Sequence, residues 1–129
     1  MLKEVGEKLI PLIGLLIGII LGLFLKVDIP AAYSTYVPVA ILAALDSVFG
    51  GFRAYLEGKF ESDIFISGFF GNVIIASLLA YLGDRLNVPI YLAAVFVFGS
   101  RLFNNFAIIR RLILSMARSK NVRRKNDEV

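Results

Sequence analysis

Hydrophobic residues in this chain gather in long runs. Leu9 to Leu25 carries no charge between Lys8 and Lys26, and Val37 to Leu56 holds only Asp46 and Arg53 as charges. Phe65 to Leu82 is uncharged, and Pro89 to Leu114 contains Arg101 before Arg110 and Arg111. A helix needs about 20 mostly apolar residues, and at least about 17, to cross the hydrocarbon core of a bilayer. The four runs predict helices at roughly 9–25, 37–56, 65–82 and 89–114. The expected fold is all-α: an integral membrane four-helix bundle of two antiparallel helical hairpins, formed by residues 1–116.

The connections are short and polar. Val27 to Tyr36 holds Asp28 and Pro30, Glu57 to Asp63 holds four charges, and Gly83 to Asn87 precedes Pro89. Pro38 and Pro89 suit the first turn of a helix, where a proline sacrifices no intrahelical hydrogen bond. Two other readings compete. A cleaved signal peptide at Leu9–Leu25 is disfavoured because the run exceeds the usual length of about 7–15 residues and no clean A-x-A site follows. A re-entrant second segment would relieve Asp46 and Arg53 of a full crossing, and would leave three spans and an external amino terminus.

Composition strengthens the membrane reading. Hydrophobic residues make up 58% of the 129 residues, against roughly 45–50% apolar usage in soluble domains. There is no His and no Cys, which removes imidazole bases, thiol nucleophiles, disulfides and Cys/His metal sites. No metal or other cofactor is expected. Of the fourteen Lys and Arg residues, seven follow Ile109: Arg110, Arg111, Arg118, Lys120, Arg123, Arg124 and Lys125. Cytoplasmic segments near span ends carry the Lys/Arg excess, so residues 117–129 read as a disordered basic cytoplasmic tail. Four spans then place the amino terminus and the Glu57–Asp63 loop on the cytoplasmic side too, in a cell membrane. The basic tail is a candidate contact for anionic lipid or a cytoplasmic partner. The charge forms no stripe among aromatics, so nucleic acid is not an expected partner.

A weak internal repeat links spans two and four. Val37-Pro38 matches Val88-Pro89, Leu42-Ala43-Ala44 matches Leu92-Ala93-Ala94, and Phe49-Gly50-Gly51 matches Phe98-Gly99-Ser100. Each segment then reaches an arginine, Arg53 or Arg101. The pattern fits two hairpins repeated in parallel, as in some transporters, though small apolar alphabets also produce such matches by chance.

Glycines 14, 18 and 22 form one smooth stripe on the first span, and Gly68, Asn72, Ala76 and Ala80 repeat the spacing on the third. Small residues let helix backbones approach closely in lipid, and Gly50, Gly51 and Gly99 are further packing candidates. The stripes serve either packing within the chain or self-association into a homo-oligomer.

Asp46 lies eight positions after Pro38, which is about 12 Å into the second helix at about 1.5 Å per residue. A charge at that depth has to be paired, neutralised or hydrated. Arg101 is the expected partner in a buried ion pair, with Arg53, Asn104 and Asn105 forming a polar cluster nearer the cytoplasm. The cluster either fixes helix register or provides a pathway for protons or ions. No Ser/His/Asp set, P-loop or dinucleotide fingerprint is present, and paired-carboxylate catalysis needs a second acid beside the first. A non-enzyme is expected.

With the charged spans in view, ALDSVFGGFRAYLEGKF, GFFGNVIIASLLAYLG and IYLAAVFVFGSRLFNNFAIIRRLIL together resemble the small basic protein family of Gram-positive bacteria and their relatives. The likeness runs from about Leu12 to Leu114, with Asp46, Gly50, Gly51, Arg53, Gly68, Asn72, Arg101, Asn105, Arg110 and Arg111 in one ordered pattern. It departs at Met1–Lys8 and Ala117–Val129. The resemblance implies a membrane protein of unassigned biochemical role, often encoded beside septation and cell-envelope genes, and carries over no catalytic residue. The expected function is therefore a scaffold or assembly factor, linked to cell-division or envelope proteins. The alternative is a small channel or transport component working through the Asp/Arg cluster.

Overall fold

The computed structural model describes residues 2–129, apart from the side chains of Lys8, Pro11, Leu12 and Leu15. The flanking role expected of Lys8 lies outside the described residues. Four helices follow in order: α1 (Leu2–Phe24), α2 (Tyr36–Leu56), α3 (Ser62–Leu86) and α4 (Tyr91–Asp127), with a short 3-10 turn at Ala31–Tyr33 before α2. Helices α2, α3 and α4 are each long and apolar enough to cross a membrane.

The helices outrun the predicted spans where charged residues favour helix without belonging in hydrocarbon. At the ends of α3, Asp63 lies in the first turn and Arg85 in the last, each opposite in sign to the helix dipole there. The expected disordered tail is corrected: α4 runs unbroken to Asp127. Residues 117–127 contain neither glycine nor proline, and Arg124 reaches Glu128 at 3.4 Å one turn along. At 37 residues, α4 is about 55 Å long, well beyond the hydrocarbon thickness of about 30 Å. Pro38 falls in the first turn of α2 as expected. Pro89 instead precedes α4, its carbonyl accepting the Leu92 N–H at 3.1 Å.

The molecule is organised around α2, which packs against both α3 and α4, while α3 and α4 touch each other little and α1 meets α2 lightly. The closely packed unit thus has three helices, with α1 beside it, where a four-helix bundle of two hairpins was expected. Packing also follows an inside-out rule. Val39, Ala43, Ala76, Ala94 and Phe98 form the buried core, with Ala80 also fully enclosed. Large apolar side chains such as Ile41, Ile74, Phe70, Phe96 and Phe103 face outward. Water gives no reason to expose such residues, but lipid does, and close helix contacts in lipid are made by small residues.

Two glycines are required by close approaches. A Cβ on Gly83 would stand 2.7 Å from the Val88 carbonyl oxygen, where the chain turns back after α3. Asn87 there takes the left-handed conformation, with φ 54°, and the Val88 N–H bonds to the Gly83 carbonyl at 3.0 Å, a helix-terminating arrangement. A Cβ on Gly51 would stand 2.6 Å from Phe65 Cδ2, so the ring packs directly on the α2 backbone. Near the same end of the bundle as Gly83, Tyr36 donates its hydroxyl to Asp84 Oδ2 at 2.6 Å, tying the start of α2 to the end of α3.

Candidate functional site

Asp46 and Arg101 each stand ten residues from the start of their helix, α2 from Tyr36 and α4 from Tyr91. These helices run in the same direction, being separated by one antiparallel helix, so equal offsets bring the two side chains level. Arg101 Nη2 lies 3.3 Å from Asp46 Oδ2. The expected pair is therefore present, with one correction: it is buried on one side only. The Asp46 side chain is fully enclosed, whereas that of Arg101 remains 55% exposed. Arg101 is long enough to reach its partner from the outer face of α4, while Asp46 sits on the inner face of the central helix.

The contact is an ion pair without the alignment of a hydrogen bond, and neither carboxylate oxygen of Asp46 has a hydrogen-bond partner. Asp46 is the largest fully buried side chain among the described residues. Buried polar atoms are ordinarily satisfied, so this carboxylate is an exception that calls for a chemical account.

Around it the polar side chains form two groups. Asn72 on α3 donates through Nδ2 to Ser47 Oγ at 3.0 Å, and Ser47 donates to the Ala43 carbonyl at 3.1 Å. On the other side, Arg53 Nη1 donates to Asn105 Oδ1 at 3.3 Å, and Arg53 Nε to Glu57 Oε1 at 3.0 Å. Asn105 is buried and Asn104 exposed. The expected cluster of Arg53, Arg101, Asn104 and Asn105 does line one cleft, together with Gly50, Ala54 and Glu57.

A second cleft, about 280 Å³ and lined by both polar and apolar side chains, runs beside the first. Asp46, Ser47, Gly51 and Ala54 line it from α2, Phe65, Gly68 and Asn72 from α3, and Lys59 and Glu61 from the connecting loop. Arg101 borders both clefts and forms their partition. Phe60, Phe65 and Phe69 make a tilted aromatic row along it, with ring centroids 5.7 and 6.1 Å apart in sequence.

The packing candidates divide. Ala76 is fully buried, Gly51 receives Phe65, and a Cβ on Gly50 would lie 3.6 Å from Asn105 Nδ2. Gly14, Gly18, Gly22, Gly68 and Gly99 face open space. Gly14 and Gly18 border an apolar cavity of about 660 Å³ shared with Ile41, Leu45, Phe65 and Phe69. The basic residues Arg110, Arg111, Arg118, Lys120, Arg123, Arg124 and Lys125 are all exposed along α4. Among the described residues no three His, Cys, Asp or Glu side chains gather as a metal site would require.

Sequence reasoning did not single out Ser47, Glu57 or Phe65. Glu57 was open to discovery through its i,i+4 spacing from Arg53. Ser47 and Phe65 were not, because each acts through a residue on another helix.

Comparison with known proteins finds relatives of the chain. Residues 29–114 match the family model described as Protein of unknown function (DUF1290). The Small basic protein of Bacillus subtilis (strain 168) is 47% identical over 117 residues, covering 91% of this chain and 97% of that protein. Uncharacterized proteins of Mycobacterium bovis and Mycobacterium tuberculosis are 43% identical over 106 residues, covering 81% of this chain and 88% of theirs. No solved structure matches the chain.

Proposed function

The chain belongs to the family of unknown function that includes the small basic protein, and from that premise we propose that it is a non-enzymatic, homo-oligomeric membrane scaffold or assembly factor. Its four helices cross the cell membrane with both termini in the cytoplasm, and its basic α4 extension meets anionic lipid or cell-division and envelope proteins.

The observation that carries this reading is the state of α1. Among the described residues nothing lies within 4 Å of a Cβ added at Gly14, Gly18 or Gly22, and α1 meets α2 only lightly. A small-residue stripe acts by close helix contact. The apolar cavity that separates this stripe from α2 and α3 is left unfilled within the chain and is available to a helix of another copy, with Ile13, Ile17, Ile20 and Leu21 exposed on the same helix.

Native mass measurement in lipid nanodiscs tests the proposal. Wild type is expected as a discrete oligomer, and Gly18→Leu, whose Cβ would meet nothing within 4 Å among the described residues, is expected to reduce it to smaller species while the helical content holds. A wild-type monomer at every lipid ratio would overturn the scaffold reading.

The alternative, a small channel or transport component, draws support from the Asp46 carboxylate, which has an ion-pair partner but no hydrogen bond. Against a pore through one protomer stands the buried layer of Val39, Ala43, Ala76, Ala94 and Phe98. A channel would need a lumen between copies.

A further inference from the structure

The unsatisfied carboxylate and the polar cleft bear on each other. Asp46 is fully shielded, both its oxygens lack hydrogen-bond partners, and it lines the 280 Å³ cleft between α2 and α3. A cavity of that size has room for several waters, and water needs a few polar partners to remain there. Ser47 and Asn72 supply them, and the Asp46 carboxylate lies just beneath the cleft wall, covered on one side by Arg101.

The cleft is also directional. Along α2 it extends from Asp46 to Ala54, eight residues or about 12 Å. Along α3 it extends from Asn72 to Ile64, and it ends at Lys59, Phe60 and Glu61 in the α2–α3 loop. In the opposite direction the next residues of the bundle interior are Ala43 and Val39, closed over by Ala76, Ala94 and Phe98. One end is polar and open, and the other is apolar and packed.

The chemistry of the occupant follows from the charges that face Asp46. α4 contributes Arg101 at 3.3 Å, α3 contributes only the uncharged Asn72, and the loop contributes Lys59 and Glu61 at the mouth. On α2 itself, Arg53 and Glu57 pair with each other in the neighbouring cleft. A metal cation at Asp46 would lie against the Arg101 guanidinium and be repelled. A proton bonds to the carboxylate oxygen itself and needs no further ligand. Arg101 is half exposed and borders the second cleft, so it has somewhere to turn when the carboxylate is neutralised.

We infer that the α2–α3 cleft is a one-sided water path that makes Asp46 a proton-binding site in exchange with the compartment on the α2–α3 loop side of the bilayer. The step is a plain transfer once Arg101 turns toward the second cleft and uncovers the carboxylate: hydronium in the α2–α3 cleft gives its proton to a carboxylate oxygen of Asp46, leaving water and a neutral carboxyl group. Which compartment this is rests on the orientation proposed above.

The chain has no cysteine, so single-cysteine variants of the full protein can be read directly in right-side-out and inverted vesicles with a small charged methanethiosulfonate. Lys59→Cys marks the loop side. Gly68→Cys reports the cleft, and an added Cβ there meets nothing within 4 Å. Ala43→Cys reports the packed end.

Gly68→Cys is expected to react from the same side as Lys59→Cys and not from the other, with Ala43→Cys unreactive from both. An unreactive Gly68→Cys, or one that reacts from the side opposite Lys59→Cys, would overturn the path. If both react only from outside the cell, the path stands and the proposed orientation falls.

The proton is read separately, by infrared spectroscopy of the protein in lipid during a pH titration. A protonated-carboxyl band that disappears at alkaline pH is expected in wild type and is expected to be lost in Asp46→Asn. Where that variant does not accumulate, Asp46→Glu should shift the band. A spectrum in which no titrating band depends on residue 46 would overturn the assignment.

Discussion

Replacing Gly51 with alanine sets two opposing effects against each other at a site whose geometry is known. In a helix interior alanine is favoured over glycine by about 1 kcal/mol, so propensity alone predicts stabilisation. The new Cβ, however, would stand 2.6 Å from Phe65 Cδ2 and 2.9 Å from Cε2, with Phe60 Cε2 a further 3.5 Å contact. Overpacking of this kind costs typically about 1–3 kcal/mol, and Phe65 has Phe60 and Phe69 beside it, which restricts its retreat. The net expectation is a loss of about 0–2 kcal/mol. Gly68→Ala and Gly99→Ala, with open space at the added Cβ, are expected to be neutral or stabilising by up to about 1 kcal/mol. Equilibrium unfolding in mixed micelles, followed by circular dichroism, measures all three, and Gly51→Ala/Phe65→Leu should recover most of the loss. Stabilisation of Gly51→Ala equal to that of Gly68→Ala would refute the close Phe65 contact and the packing of α3 on α2 drawn from it.

Other outcomes are equally accessible. Arg101→Ala leaves a buried carboxylate without its counter-ion; loss of one partner of a buried pair costs about 3–5 kcal/mol, and the half-exposed position of Arg101 reduces the expectation to about 1–3 kcal/mol. Arg101→Ala/Asp46→Asn should recover part of that in the same unfolding assay, and a double variant less stable than the sum of the singles would contradict the pairing. Gly83→Ala forces a Cβ against the Val88 carbonyl backbone, so a loss of about 1–3 kcal/mol is expected, with no rescue by trimming side chains. Reporter fusions at the amino terminus and after Val129 should both signal from the cytoplasm, and an external amino terminus would rule out the four-span topology.

The sequence announced helices more clearly than it announced how they assemble. Uncharged runs such as Phe65–Leu82 are visible because the bilayer imposes a length, and α3 contains that run with a few charged residues added at each end. The Asp46 and Arg101 pair was also legible, since two mid-span charges of opposite sign on parallel helices have few other partners. Less visible was the centrality of α2. Along their hydrophobic runs the helices are apolar on most sides, so no amphipathic face says which neighbour each meets; small residues decide that, and they occur on all four helices. The same ambiguity hid the difference between Gly51, which receives Phe65, and Gly18, which faces open space. The helical tail was missed for another reason: its charge run resembles a solvated segment, while its lack of glycine and proline lets a helix already begun in the apolar run continue.

That continuation gives α4 a mechanical character. Beyond Leu114 it extends thirteen more helical residues to Asp127, an arm of about 20 Å, with no interruption between Arg101 and its tip. A tilt of about 10° in the membrane portion moves the end of such an arm by about 3 Å. Arg101 is the residue through which the charge state of Asp46 would be felt by α4, and it sits on the same rigid rod as Arg123, Arg124 and Lys125. A small adjustment around a buried carboxylate would thereby be converted into displacement of a cluster of positive charge beyond the apolar run of α4.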